Sequence, residues 1–239
     1  MNFADFQVLM FDCYGTLINW EPGILSELRP WVLAHGRQLA DDEILRGFGA
    51  VELRHEAAMP TRLYPAVLAA TFHELGRRWQ IPTTDAEAAA FGASVGRWTA
   101  FPDSAPSLRY LKQYHKLVIL SDVDRASFAK TNEQLQVEFD RIITAEEVGS
   151  YKPDLANFEY AVRTIAKMGV TPDRILHVAE SLYHDIAPAK SMGLRAVWVQ
   201  RRIGRMGMGP VPPKPGAAPD LEVRSLAELV ELHRAQRRG

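Results

Sequence analysis

Short apolar runs, most of them closed by a polar residue, punctuate the chain: "QVLMFD" (7–12), "KLVILSD" (116–122), "RIIT" (141–144), "RILHVAE" (174–180) and "RAVWVQ" (195–200). None alternates polar with apolar positions, so each predicts a strand buried on both faces. Between the runs the period changes. Leu155, Phe158, Val162 and Ile165 recur at helical spacing, as do Leu108 and Leu111 ahead of "KLVILSD". Strands alternating with helices predict a Rossmann-like α/β fold with a doubly wound parallel sheet and right-handed crossovers. The ligand site of such a sheet lies at the carboxyl ends of its strands. Asp12, Ser121, Asp122 and Glu180, which close the runs, are therefore expected to converge on one crevice.

Residues 20–98 break the alternation. Ile24, Leu25, Leu28, Trp31 and Val32, then Leu68, Phe72, Leu75 and Trp79, carry helical periods with no convincing strand among them. "WTAFPDSAP" then returns the chain to the sheet, punctuated by Pro102 and Pro106. The pattern predicts an α/β core built from residues 1–19 and 99–239, with a helical cap domain inserted at 20–98. Trp20 and aromatic residues of the cap are expected to cover the strand tips as an apolar lid. Near the C-terminus, "GRMGMGPVPPKPGAAPD" predicts a Gly/Pro-rich loop, followed by a short strand around Leu221 to Val223 and a final helix. No internal repeat is visible.

Composition narrows the function classes. The chain has 239 residues, 47% of them apolar, enough for a sizeable core. Its 28 basic and 29 acidic residues nearly cancel, which argues against nucleic acid and acidic membrane surfaces as partners. The basic tail "HRAQRRG" is short and is expected to be a solvated helix end. The single cysteine, Cys13, excludes an internal disulfide, fits a reducing compartment and is expected to be a small buried filler. With no signal-peptide pattern and no apolar run of membrane-spanning length, the expectation is a soluble cytoplasmic protein. A homodimer is compatible with all of this.

The strand ends carry candidate chemistry. Asp12 sits where a carboxylate can meet a substrate in line, and Gly15 and Thr16 follow with a tight turn, exposed N–H groups and a hydroxyl. An aspartate that merely caps the turn would look the same. Lys152, in "GSYKPD", offers a cation that would hold Asp12 ionised, or a solvated surface lysine. Ser121 could hold substrate or cap a helix. Glu180 and Asp185, in "AESLYHD", put two carboxylates across a strand-to-helix turn, where Asp185 could also be the N-cap of a helix at 186–192. His184 is expected to stand outside the chemistry.

Taken in order, Asp12 with Gly15 and Thr16, Ser121, Lys152 with Pro153, and the Glu180/Asp185 pair resemble the four motifs of the haloacid dehalogenase superfamily. The helical insertion falls where that superfamily places its cap. Its phosphatases carry an aspartate two residues after the nucleophile and bind magnesium; this chain has Tyr14, whose ordinary pKa is near 10. The "DCYGTL" form resembles instead the 2-haloacid dehalogenases, in which the aspartate attacks C2 of a short carboxylic acid and the resulting ester is hydrolysed to a 2-hydroxy acid without a metal. The resemblance implies Asp12 as nucleophile, Lys152 as its charge partner and Asp185 as base for water. It also implies that Tyr14, Thr16, Ser121, Asp122 and Glu180 hold the substrate, with no cofactor.

Three positions depart from the dehalogenase pattern. Asp122 stands where asparagine is usual, expected to be ionised at pH 7 and unable to donate. "AESLYHD" replaces a Ser-x-Asn pattern, with the spacing of the magnesium-binding phosphatases. "RGFGAVELRHE" offers only Arg46 or Arg54 for the halide-cradling arginine. The "FDCYGTLI", "GSYKP" and "AESLYHD" forms most closely resemble azetidine-2-carboxylate hydrolases, which open a strained ring. The alternatives are thus a ring amine as leaving group, a magnesium-dependent small-molecule phosphatase, and a non-catalytic small-molecule-binding protein.

Overall fold

The computed structural model describes residues 1–202 and 218–238. Strand β1 (Val8–Phe11) leads into four helices: α1 (Trp20–Ala34), α2 (Asp41–Ala58), α3 (Tyr64–Trp79) and α4 (Asp85–Gly92). Then come α5 (Ser104–Leu111), β2 (Lys116–Ser121), α6 (Arg125–Leu135), β3 (Arg141–Thr144), α7 (Ala145–Val148) and α8 (Leu155–Ala166). The chain continues through β4 (Ile175–Ala179), α9 (Ala187–Ser191), β5 (Arg195–Val199), β6 (Leu221–Val223) and α10 (Leu226–Arg238). Every run read as a strand is one, and residues 20–98 hold only helices. Most of the Gly/Pro-rich loop, 203–217, lies outside the described residues.

All pairings are parallel, in the order β3-β2-β1-β4-β5-β6. The order reverses at β1, whose carboxyl end is therefore the switch point where a doubly wound sheet binds ligands. Phe11 pairs with Ile119 of β2 and with Val178 of β4, so Asp12 emerges between the ends of two buried neighbours. One apolar cluster, containing Val8, Met10, Phe158, Ala161 and Ile165, packs α8 against one face. The α8 stripe differs from the expected one at two positions. Leu155, the first residue after the Asp154 cap, is exposed; Ala161 is fully buried with Phe158 and Ile165, while Val162 is only partly buried.

The other cluster is continuous from the sheet into the insertion, joining Leu9, Phe11 and Ile119 to Ile24, Phe48, Phe72 and Phe91. Entry and exit of the insertion run side by side. Asn19 N–H donates to Thr99 O at 2.8 Å and Phe101 N–H to Leu17 O at 2.9 Å, and Ile18 bridges Ala100. The four helices thus return the chain to the loop that follows Asp12. Local signals are regular within them: Thr84 and Glu87 close a capping box at the start of α4, and Pro65 occupies the first turn of α3.

Helix α10 docks through a buried histidine pair. His115 Nδ1 donates to Phe6 O (3.0 Å), which leaves its Nε2 to accept from His233 Nε2 at 3.0 Å. The Tyr110 hydroxyl faces His233 Nδ1 at 3.1 Å. A second proton between the rings has no acceptor. Burial lowers both pKa values, and His115 and Arg237 help hold His233 down at about 4. A depressed folded-state pKa gives stability that is complete above the unfolded value and lost as pH falls from about 6.5 toward 4. His233→Phe is therefore expected to flatten the fall in Tm across that window relative to the parent; parallel pH curves would exclude the pair as the acid-sensitive contact.

Candidate active site

The loop after β1 is held open by local geometry. Gly15 has φ +98°, and a Cβ there would stand 3.2 Å from Trp20 Nε1 and 3.4 Å from Glu180 Oε2. Its N–H donates to Ile18 O at 2.8 Å. Gly15 therefore shapes the turn and admits Trp20, but it is not a donor to Asp12 as the sequence led us to expect. Arg201, just beyond β5, donates to Thr16 O at 2.9 and 3.1 Å and grips Asp103, tying the loop to α5.

Asp12 is 6% exposed. Its Oδ1 accepts from Lys152 Nζ at 2.8 Å and its Oδ2 from Thr16 Oγ1 at 2.7 Å. The Thr16 hydroxyl oxygen in turn accepts from Glu180 N–H at 2.8 Å, which fixes its proton toward Asp12. Lys152, 2% exposed, also donates to Asp185 Oδ1 at 2.7 Å and lies 3.8 Å from Asp122. One ammonium therefore bridges the carboxylates of β1 and of the turn after β4. Burial would discharge it, yet Asp12, Asp185 and Asp122 push its pKa well above the ordinary lysine value. Burial raises the Asp12 pKa and Lys152 opposes the rise.

Asp185 is not a helix N-cap. It lies inside a π-helical turn, Leu182–Ile186, whose cap is Ser181. Burial pulls its pKa up, but Lys152 and His177 hold it down at about 2. Both contacts use Oδ1; His177 Nε2 donates at 2.9 Å. Oδ2 has no hydrogen-bond partner among the described residues.

The remaining candidates divide. Ser121 Oγ, at the tip of β2, is buried without a partner and is available to a ligand. Asp122 accepts from Lys152 N–H at 2.8 Å, and burial lifts its pKa to about 7. The expectation of full ionisation at neutral pH fails for that reason. Glu180, lifted to about 8 by burial and by Asp12, stands beside Gly15. The Tyr14 hydroxyl turns to Thr131 Oγ1 of α6 at 2.7 Å, leaving its ring edge-on to Trp98 at 5.7 Å as a wall. Cys13 is buried, as expected.

Arg46 and Arg54 are not in the site; both are exposed and pair with Asp42 and Glu74. The same helix instead turns Glu52 and Glu56 toward the site, where the Asp122 charge reaches both. Sequence reasoning missed them, and it missed His177. A histidine inside an otherwise apolar strand was the available signal for His177. For the glutamates it was their i, i+4 spacing from buried Phe48.

Lys152 takes one oxygen each of Asp12 and Asp185, and the second oxygen of Asp185 has no partner among the described residues. Among the described residues no three His, Cys, Asp or Glu side chains converge as metal ligands. Among the described residues no helix is long and apolar enough to cross a membrane.

A haloacid dehalogenase-like hydrolase family model matches residues 6–193. An (S)-2-haloacid dehalogenase of Pseudomonas fluorescens is 30% identical over 134 residues, 55% of each chain, so the chain spans about half the length of that curated relative. A phosphoserine phosphatase of Thermus thermophilus is 35% identical over 91 residues, 38% of this chain and 32% of the relative. The structure of the Xanthobacter autotrophicus L-2-haloacid dehalogenase with chloropropionic acid covalently bound superposes with a TM-score of 0.76. It covers 96% of this chain and 98% of its own at 22% identity, which is a likeness of fold. By the family match the chain belongs to the haloacid dehalogenase-like hydrolases.

Proposed function

We propose that this protein hydrolyses a short 2-substituted carboxylic acid by attack of Asp12 on C2, as the 2-haloacid dehalogenases it resembles do, giving a 2-hydroxy acid. The observation that carries the reading is the setting of Asp12: buried, in contact with the Lys152 ammonium, and held by one donor on each oxygen. A carboxylate so fixed pays little reorganisation when it attacks, since its donors already stand in place. In the first step an Asp12 oxygen bonds to C2 and the leaving group departs with the C2 bond pair. In the second, water adds to the Asp12 carboxyl carbon and the alcohol leaves. Asp185, ionised above about pH 2 with Oδ2 open, orients that water and accepts its proton. Ser121 and Thr16 hold polar atoms, and the helical insertion serves as the cap, with Trp20 and Phe48 as its apolar inner face. Tyr14 argues against phosphoryl transfer, because burial pushes its pKa well above 10 and its hydroxyl is turned to Thr131.

A second reading keeps the same nucleophile and changes the leaving group to the amine of a strained ring, as in the azetidine-2-carboxylate hydrolases. Glu52 and Glu56 favour it, since they stand over the site where an anionic substrate would want an arginine. The balance is simple: the C2–N bond pair stays on nitrogen, and the proton released by ester hydrolysis ends on the amine.

The test sets 2-chloropropionate, azetidine-2-carboxylate and p-nitrophenyl phosphate before the purified protein with and without EDTA. Turnover of a 2-substituted acid unchanged by the chelator is the expected result. Phosphate release that EDTA abolishes, with no hydroxy acid from the other two, would replace this reading with a phosphatase.

A further inference from the structure

Helix α2 carries Phe48, Glu52 and Glu56 at successive i, i+4 positions, one stripe of its surface. The Phe48 ring lies 5.8 Å from that of Trp20, which itself leans on Gly15, so the stripe faces the nucleophile loop. The connection between α2 and α3 is tied to the lysine loop, where the Tyr151 hydroxyl donates to Arg62 O at 2.5 Å. Along this stripe Glu52 accepts from the Tyr64 hydroxyl. Glu56 is 6% exposed and has no hydrogen-bond or ion-pair partner among the described residues.

Two further observations indicate a ligand between the cap and the sheet. Ser121 Oγ, next to Asp122, is a buried polar atom with no hydrogen-bond partner. The charge balance is also one-sided. Asp12, Asp122, Asp185, Glu52 and Glu56 act on one another around the single ammonium of Lys152, with Tyr64 and Tyr151 as neutral neighbours. Arg202 acts on Glu180 from its pair with Glu21, on the far side of Gly15. Another anion brought here would meet carboxylates on both walls. A cation would supply the charge that the cluster lacks.

We propose that Glu56, with Glu52 beside it, is a subsite for an ammonium group carried by the substrate, so that the substrate is an amino or imino acid rather than a purely anionic one. The inference rests on the reading that Asp12 attacks carbon in this crevice, and it adds which charge the opposite wall recognises. Burial lifts Glu52 to about 8 and Glu56 well above its ordinary value. The groups facing them are Tyr64 from α3, Asp122 from the end of β2, and Tyr151 and Lys152 from the loop before α8. An arriving ammonium favours the ionised glutamates, so binding releases protons and tightens as pH rises from 6 to 8.

Two uncleaved ring acids of one shape separate charge from size: proline, with a ring ammonium, and tetrahydrofuran-2-carboxylate, with a ring oxygen. Calorimetry on the full-length protein should show proline binding at least 10-fold tighter, and Glu56→Gln should erase that preference. Glu52→Gln, away from the unpartnered carboxyl, should halve it or more, which guards against a single variant that misfolds. For cleaved substrates, the ratio of kcat/KM for azetidine-2-carboxylate to that for 2-chloropropionate should fall about 100-fold in Glu56→Gln, chiefly through KM. Equal binding of the two rings by the parent, or an unchanged ratio in the variants, would overturn the subsite while leaving attack on carbon standing. Glu56-dependent proline binding in a protein that cleaves no 2-substituted acid would do the reverse.

Discussion

Asp12→Asn is expected to lower turnover of any 2-substituted acid by about 10⁴-fold or more, as removal of a covalent nucleophile does elsewhere. The amide is a far poorer nucleophile than the carboxylate, and the aspartates beside it are engaged elsewhere. Asp185 is turned to Lys152 and His177, and Asp122 is occupied by the Lys152 N–H. The variant should still fold, because Lys152 keeps Asp185 at 2.7 Å as its ion-pair partner. Lys152→Ala should be as severe for activity and worse for stability. It leaves Asp12 and Asp185 as a buried like-charged pair, a loss on the order of 3–5 kcal/mol. Its sign with pH follows from Asp185, which Lys152 and His177 now hold at about 2. Without the ammonium the folded pKa rises above its unfolded value, so the variant is least unstable at low pH and loses stability as pH rises through that pKa. Steady-state assays and melts at pH 5 and pH 8 check both; more than a hundredth of parental turnover in Asp12→Asn would remove the covalent step.

How much of this was legible in the chain depends on what each feature needs. The strands were visible because a parallel sheet buried on both faces leaves unbroken apolar runs, and the insertion because its helices keep a 3.6 period around Ile24, Leu28, Leu68 and Phe72. Strand ends close in order, so Asp12, Ser121, Lys152 and Asp185 were expected near one another, and Lys152 does bridge two of them. Other features depend on tertiary geometry. Glu52 and Glu56 look like the solvated face of a helix until the cap folds them over the sheet, and then burial lifts the pKa of both. The state of Asp122 could not be read either, because it depends on depth: a carboxylate that would be ionised at the surface is pushed to about 7 here. The Gly15 N–H looked free because its partner, Ile18 O, is set by the turn rather than by residue type.

The route of oxygen separates the two uses of these aspartates. If Asp12 forms an ester and water adds to its carboxyl carbon, the first product molecule takes its oxygen from the enzyme. A single turnover with enzyme in excess, run in ¹⁸O-water, should give unlabelled 2-hydroxy acid and leave the label in the peptide containing Asp12. Direct attack by water on C2, with Asp185 as base and Asp12 only an electrostatic support, would label the product at once. The geometry favours the first route. Asp12 carries one donor per oxygen, from Lys152 and Thr16, so each sp² oxygen keeps a lone pair free for attack at the roughly 3–3.5 Å of a near-attack geometry. Asp185 is held at about 2, and a base that weak is poorly matched to drawing a proton from water during direct attack on C2. An ester carbon already polarised by the Lys152 ammonium asks less of it. Label in the product of the first turnover would reverse the roles of Asp12 and Asp185.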